Sequence, residues 1–420
     1  MKLLKVLVAV LVIAAMAVPV IAEDRLQLSG EMRVRGYLYD TDYTDFGEED
    51  DDSGAWNDQR LRMLGKIAVA EGVSVVFRFD ATESDENSSN AVAWGGSQTS
   101  AYQYSQRRAD IQFDNAYLMV EKNGFTLKAG QQYFGFWGYT GKMMDVIGAG
   151  FTGQYKGLTL MHVKRLDENN GNDSFAQPND GDVSLTGLKY DFKGEGFTLT
   201  PMVSYNQSDS AVRGGDRDLL ALGLASSIDL GPVLLKGEFN YFDGEDNVGD
   251  IKGTQLYLDA SMAATTTLRV GLMGFYALGD DEDEQATNNN FDGAVDWTFA
   301  DWHPESYGHW SVEFVDEFAD IYDPLGVNAG VMAAQLYADL QATENTSMKF
   351  AAMYFQNEDD EFIDYDGYTL NAGIAYKLAK NTTLSLHANY IKFNVDEVDG
   401  ESVDADGDTL QAISGIQVAF

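Results

Sequence analysis

Basic residues near the start of the chain share a spacing that would gather their charges on one surface. Eight of the twelve arginines lie before residue 110, although the formal net charge of the chain is −39. In each segment the basic residues alternate with apolar ones, and side chains of a strand alternate between its two faces. Neighbouring strands lie about 4.8 Å apart, so consecutive strands would present one basic patch: Arg33, Arg35, Arg60, Arg62, Lys66, Arg78, Arg108 and Lys128.

A basic patch of this kind attracts anions, and this chemistry is the first functional hypothesis. Four acidic residues lie among the basic ones in sequence and could pair with some of them: Glu31, Asp80, Asp110 and Asp114. The second hypothesis is therefore a ladder of ion pairs that only solvates an interior surface. The sequence supports the two hypotheses equally.

The elements that carry the patch have the period of β-strands. In residues 25–40 the apolar positions are even, from Leu26 to Leu38, and in residues 59–69 they are odd, from Leu61 to Val69. A helix would repeat its apolar residues at i, i+3 and i+4, which these segments do not. The predicted strands are 25–40, 59–69, 73–82, 107–121, 124–135, 143–155, 157–168, 181–193, 196–208, 217–229, 232–243, 250–263, 265–279, 329–342, 346–358, 366–379, 381–395 and 407–420.

The connections between these strands fall into two kinds. Short turns containing Gly or Asn, such as 122–124 and 380–382, alternate with long polar stretches. Gly and Asn adopt the positive φ that tight hairpins need, and short turns at one end with long loops at the other are typical of outer-membrane barrels. We therefore predict an all-β fold, a transmembrane antiparallel β-barrel of about 18 strands, with 16 as the alternative count. Its long acidic extracellular loops would be 41–57, 84–106, 169–180, 280–328 and 396–406.

Both ends of the chain agree with this fold. Residues 1–22 have the charged, apolar and small-residue regions of a signal peptide, with cleavage expected after Ala22. Residues 23–420 would then form a single barrel domain, and loss of Lys2 and Lys5 takes its charge to −41. The last predicted strand ends on Phe420, and a terminal aromatic residue suits the membrane interface. A soluble β-sandwich is the alternative, but it gives no reason for strands of 12 or more residues.

Several kinds of chemistry have no support in the sequence. There is no cysteine, and no HExxH, P-loop, GxSxG or CxxC motif occurs, so neither an enzyme nor a bound cofactor is predicted. The acidic balance argues against nucleic acid as a partner. The acidic runs 48–52 and 280–284 suit divalent cations that bridge lipopolysaccharide, but a solvated rim is the favoured interpretation.

The stretch 280–328 is too long for a simple connection and is rich in aromatic residues. We expect it to narrow the lumen or to cap its mouth, with Trp297, Trp302, His303, Tyr307 and Trp310 as the candidate constriction residues. The segments 290–293, 303–309 and 326–330 resemble the corresponding loop of alginate-export-type outer-membrane porins. The resemblance implies an 18-stranded channel whose basic lumen passes anionic material.

The sequence thus predicts an outer-membrane porin for passive diffusion of hydrophilic solutes, with a preference for anions under the first of the two hypotheses above. The expected partners are outer-membrane lipid and lipopolysaccharide, small hydrophilic solutes or acidic sugars, and further copies of the chain in a homotrimer. A structural or receptor barrel with a closed pore is the alternative, as is a sleeve around a redox partner that brings its own cofactor.

Overall fold

The structure, a computed structural model, describes eleven ranges of the chain. They are residues 25–45, 48–81, 112–134, 138–139, 146–165, 183–210, 215–245, 250–277, 331–357, 363–398 and 401–420. The predicted signal peptide and the stretches 84–106, 169–180 and 280–328 lie outside these ranges.

The described ranges form one antiparallel sheet that closes on itself, because the first strand pairs with the last. The strands are β1 Leu26–Asp45, β2 Glu48–Ala70, β3 Val73–Ala81, β4 Gln112–Lys122, β5 Phe125–Phe134, β6 Val146–Tyr155, β7 Leu158–Arg165, β8 Val183–Tyr190, β9 Phe192–Gly194, β10 Phe197–Ser210, β11 Gly215–Asp229, β12 Val233–Glu245, β13 Asp250–Ala263, β14 Leu268–Ala277, β15 Val331–Gln341, β16 Thr346–Gln356, β17 Ile363–Ala379, β18 Thr382–Val398 and β19 Glu401–Ala419.

Two of these elements belong to one crossing of the membrane. β8 and β9 are separated by Asp191 alone, and both pair with β10. The barrel therefore has 18 crossings, which confirms the predicted count. Each predicted strand coincides with a crossing. This includes 143–155 and 157–168, in which apolar and polar residues alternate poorly.

The alternation of side chains separates a lipid face from a lumenal face. Outward positions carry exposed apolar side chains such as Leu38 (59% exposed), Leu258 (54%) and Leu336 (64%), as hydrocarbon requires. Inward positions next to them carry Tyr37, Tyr257 and Tyr337, which are buried. Within the described residues, no helix has the length and apolar character needed to cross a membrane.

The short turns have the backbone that the sequence predicted. Asn123 and Gly124 have φ of 52° and 79°, and Lys156 and Gly157 have 48° and 89°. Positive φ at both central residues gives the two-residue hairpin whose twist matches that of its strands. These turns lie at the same end of the barrel as the first residue of β1 and the last of β19, which is the periplasmic end.

Two of the predicted extracellular loops are largely strand. β1 and β2 stay paired up to Asp45 and Glu48, and β18 and β19 stay paired up to Val398 and Glu401. The predicted loops 41–57 and 396–406 are therefore the tips of long hairpins. The sequence analysis ended these strands where the alternation of apolar residues ends. Beyond the membrane, however, two strands can stay paired through backbone hydrogen bonds without an apolar face.

The barrel closes through the end of the chain. The backbone N–H groups of Gly30 and Phe420 each donate to the other's carbonyl, at 2.8 and 2.9 Å. The Phe420 ring occupies the space beside Gly30, since a Cβ at Gly30 would lie 2.9 Å from Phe420 Cζ and 2.5 Å from the Arg62 carbonyl oxygen. Nearby, Gln417 Nε2 donates to Glu31 Oε2 at 2.6 Å.

We predict that Gly30→Leu impairs barrel closure, because the new side chain displaces Phe420 and presses on the β2 backbone. Overpacking of this kind costs about 1–3 kcal/mol. The measurement is the fraction of heat-modifiable protein in the outer membrane. Gly153→Leu is the control, since a Cβ there meets only Phe125 Cε2, at 3.9 Å. Equal yields of the two variants would contradict the prediction.

Candidate functional site

Four residues of the predicted basic patch contact carboxylates, three of them on a neighbouring strand and one, the partner of Lys66, two strands away. The contacts run along β1 to β4 on the lumenal face, and we call them the ion-pair ladder. Its pairs are Arg60–Glu31 at 2.7 Å, Arg62–Asp80 at 2.6 Å, Arg78–Asp114 at 2.7 Å and Lys66–Glu121 at 3.4 Å. Along this wall, positive and negative charges lie within contact distance and largely cancel at longer range.

Strand register explains these pairs. Arg62 lies directly opposite both Glu31 on β1 and Asp80 on β3, so its side chain shares the lumenal face with both carboxylates. It donates to Asp80 from both Nε and Nη2. Asp114 lies at a register shift, because Arg78 pairs with Asn115 while Phe79 pairs with Phe113. The extra residue of such a bulge re-aims its side chain, here toward Arg78.

Arg33 and Arg35 line a recess of the lumenal wall of about 190 Å³, which adjoins the ladder because Arg33 lies directly opposite Arg60. The recess also contains Lys349 of β16 and His387 of β18. We call it the basic recess. No described residue that lines it is a carboxylate, but Asp339 of β15 lies directly opposite Lys349. Lys349 and His387 were missed by the sequence analysis, because only the pairing of β19 with β1 brings β16 and β18 to the same side of the lumen as β1.

The other residues of the predicted basic patch, and the predicted constriction residues, are not among the described members of the ladder or the recess. Lys128 Nζ lies 5.7 Å from the centre of the Tyr117 ring. Arg108 and all five predicted constriction residues, Trp297, Trp302, His303, Tyr307 and Trp310, fall outside the described residues, so their roles stay predictions. Among the residues that the structure describes, no cluster of three or more His, Asp or Glu side chains is placed to hold a metal ion.

A second group of functional residues was missed by the sequence analysis, on the connection between β5 and β6. Gly138 and Tyr139 leave the β5 wall and contact β11, β12 and β13. The Tyr139 N–H donates to Glu238 Oε2, and its ring lies 5.1 Å from Lys236 Nζ and 5.7 Å from the Tyr257 ring. We call this arrangement the Tyr139 anchor.

The anchor lies near the middle of the barrel, because Glu238 is the sixth of the thirteen residues of β12. Glu238 is 2% exposed, and its other oxygen accepts a hydrogen bond of 2.8 Å from Asn240 Nδ2. One carboxylate oxygen therefore holds a chain segment inside the lumen, and the bond to Asn240 on the same strand fixes the other. The signal available in the sequence was the run Gly135 to Tyr139, which is rich in glycine and aromatic residues.

The lumenal wall around the anchor is apolar and buried, unlike the wall of β1 to β4. Tyr139 packs against a cluster whose members point inward from β5, β7, β8, β10, β11 and β12. They are Phe134, Met161, Val163, Leu185, Met202, Leu219, Ala221, Ala225 and Phe242. The lumen thus has a packed apolar side and a charged side, and the charged side carries the ion-pair ladder and the basic recess.

A closed barrel with a charged lumenal wall and an inward-folded connection defines the class of outer-membrane channels. The sequence matches the family of Gram-negative porins over residues 9–397. The chain belongs to that family, and it is an integral protein of the outer membrane. The match supports the porin class as a whole, and the alginate-export type remains a resemblance. No curated protein sequence matches the chain.

Solved porin structures share the fold at low sequence identity. OpdL of Pseudomonas aeruginosa has 13% identity and a TM-score of 0.54, with 94% of this chain and 99% of that chain covered. OpdQ of the same organism has 10% identity and a TM-score of 0.51, covering 94% and 98%. OccK11 (OpdR), also from this organism, has 12% identity and a TM-score of 0.51, covering 94% and 96%. At these identities the likeness concerns the fold alone.

We predict that Glu238→Ala raises single-channel conductance and current noise. The substitution removes the acceptor of the Tyr139 N–H, and a hydrogen bond to a charged group is worth about 1.5–3 kcal/mol. Glu238→Gln keeps one carbonyl oxygen as an acceptor and should have the smaller effect. Conductance equal to wild type in Glu238→Ala would show that the anchor does not narrow the pore.

Proposed function

We propose that the protein lets hydrophilic solutes diffuse passively through its barrel and favours anions among them. The observation that carries this proposal is the basic recess, in which Arg33, Arg35 and Lys349 border one part of the lumenal wall. An 18-stranded barrel is wide enough to hold a water-filled path, and the charged side of this lumen offers a polar surface for it.

The net charge of −39 would suggest the opposite preference, but position matters more than the total. Charges in bulk water are screened beyond about 8 Å at physiological ionic strength. Charges on the wall of a low-dielectric barrel are screened less, so the local sign governs a solute inside. The acidic runs predicted for the rim therefore act mainly on capture at low salt.

The ion-pair ladder and the basic recess would contribute differently. In the ladder each basic group has a carboxylate within 3.4 Å or less, so the ladder mainly shapes the wall. The recess gathers three cationic side chains, Arg33, Arg35 and Lys349, and Asp339 lies directly opposite Lys349 in the register of β15 and β16. The proposed anion preference would come from this local excess of positive charge.

Paired substitutions test the preference through the reversal potential in a salt gradient across planar bilayers. Arg33→Gln with Arg35→Gln should lower the anion-to-cation permeability ratio by a factor on the order of two or more, because lumenal positive charge is lost. Asp80→Asn should raise the ratio, because Arg62 loses its carboxylate partner. Retained heat-modifiability shows that each variant folds.

Two outcomes would contradict the proposal. A cation-selective wild-type pore that the double substitution leaves unchanged would make the basic residues structural only. Absence of conductance steps in the wild type would favour the alternative of a structural or receptor barrel with a closed pore.

We also propose that residues 1–22 are a signal peptide, that lipopolysaccharide surrounds the barrel, and that the channel assembles as a homotrimer. The Lys2 and Lys5 charges followed by an apolar run support the first of these. The intact mass of protein purified from outer membranes should correspond to a chain that begins at Glu23. A mass that includes residues 1–22 would contradict cleavage after Ala22, and native mass measurement in mild detergent tests the trimer.

A further inference from the structure

We propose that the outer face of β19, β1 and β2 is a contact surface for a second copy of this chain. We call it the seam face, because it lies where the two ends of the sheet meet. The inference rests on the proposed homotrimer, to which it adds the surface through which the copies touch. It is independent of the proposed anion preference.

Polar side chains interrupt the apolar outer surface at the seam face. Asn57 of β2 and Ser414 of β19 lie directly opposite Gly36 of β1, one on each side of it, and both are exposed. A Cβ at Gly36 would lie 2.8 Å from Asn57 Oδ1 and 3.1 Å from Ser414 Oγ. Ser414 Oγ also donates to the Gly36 carbonyl oxygen at 3.4 Å. The two side chains therefore converge over Gly36 as one polar group.

This polar group lies inside the apolar belt of the barrel. At the outward positions of β1, apolar residues precede and follow Gly36, namely Val34 and Leu38. Gln59, directly opposite Val34 on β2, adds a second amide to that of Asn57. Lipid chains offer no hydrogen-bond partner, so contact with hydrocarbon would leave these amides unpaired at a cost in free energy. A protein surface with donors and acceptors removes that cost.

The seam face also lacks the aromatic residues that mark contact with lipid. No outward position of β19, β1 or β2 carries Phe, Tyr or Trp, and Phe420, beyond the end of β19, packs beside Gly30. The aromatic residues resume on both sides, with Phe79 on β3 and Tyr390 on β18. Around the rest of the described ring, no two neighbouring strands both lack an outward aromatic residue. Because aromatic girdles form where a barrel meets the lipid interface, their absence over three consecutive strands favours a face that meets protein.

The shape of the seam face suits close approach of another barrel. Ala388 of β18 lies opposite Ala412 of β19, so small residues continue the polar group into a shallow strip. Exposed leucines border this strip, namely Leu38, Leu386 and Leu410. Within a membrane, association gains from close packing and polar contacts, and the interfaces of membrane helices are accordingly rich in small and polar residues. The same physics applies to two sheets.

A second copy is the occupant that these features favour. A side-chain amide carries both donors and an acceptor, so the amides of Asn57 and Gln59 on two copies can satisfy one another. Between Leu28 and Leu38 the outward positions of β1 carry no charge, so the face has nothing to match a charged headgroup or a charged partner. A closed ring of identical chains brings the same face of each copy toward the symmetry axis.

Cysteine cross-linking tests this surface, since the chain has no cysteine of its own. Asn57→Cys in outer membranes, oxidised with copper phenanthroline, should give a disulfide-linked pair of chains that a reductant separates. Leu222→Cys is the matched control and should stay a single chain, because Leu222 is exposed on the outer face of β11, across the ring from β1. Ser414→Cys is the second variant, for use if the first does not fold.

Removal of the amides tests the same surface without a cross-link. Asn57→Leu with Gln59→Leu keeps the face apolar and should raise the ratio of monomer to trimer on the order of tenfold in native mass measurement, because the polar contacts between copies are lost. Leu222→Met is the control and should match wild type. Heat-modifiability shows that each variant still forms its barrel.

Each remaining outcome counts against a distinct statement. A trimeric wild type whose chains are not joined in either Asn57→Cys or Ser414→Cys would overturn the seam face and leave the trimer standing. Equal cross-linking of Asn57→Cys and Leu222→Cys would also overturn the seam face, because random collision explains it. A disulfide to a chain of different mass would overturn the second copy as occupant. A monomeric wild type would overturn the homotrimer and the seam face together, whereas the anion preference would stand.

Discussion

The requirement that every backbone N–H and C=O be hydrogen-bonded within the membrane governs this structure. A sheet in hydrocarbon has no water to satisfy its edges, so it must close. Here β1 meets β19, and Gly30 and Phe420 complete the ladder at the periplasmic end. The even number of crossings follows from that closure, because an antiparallel ring needs its first and last strands to run in opposite directions. Alternation follows too, because a closed sheet has one face toward lipid and one toward the lumen.

Closure also explains how much of the fold the sequence could predict. Each crossing faces lipid on one side and water on the other, so its apolar residues recur at every second position. The 18 strands could therefore be predicted from alternating segments such as Leu26 to Leu38. The alternation of apolar and polar residues ends where the strands leave the lipid. The parts of the hairpins that continue to Asp45 and Val398 were therefore predicted as loops. The tight turns were readable because Asn123 and Gly124 suit positive φ.

The candidate site was only half predictable, for a physical reason. Arg60, Arg62 and Arg78 lie on consecutive strands, so their neighbours are near in sequence and the ladder could be anticipated. Lys349, His387 and the Tyr139 anchor depend on contacts between distant strands. Parity places such a residue in the lumen but says nothing about which residue faces it across the barrel. Glu238 in particular alternates like any other lumenal residue of β12.

The position of the basic recess has a consequence for when the protein can work. Its lining joins Arg33, among the first residues of the barrel, to Gln417, among the last, so its contacts have nearly the largest sequence separation that this chain allows. Contacts of that kind form late and slowly in folding. A chain whose first and last strands have not yet joined has no recess, however many of its other strands are already paired. The site therefore appears only when β1 and β19 join and the ring closes.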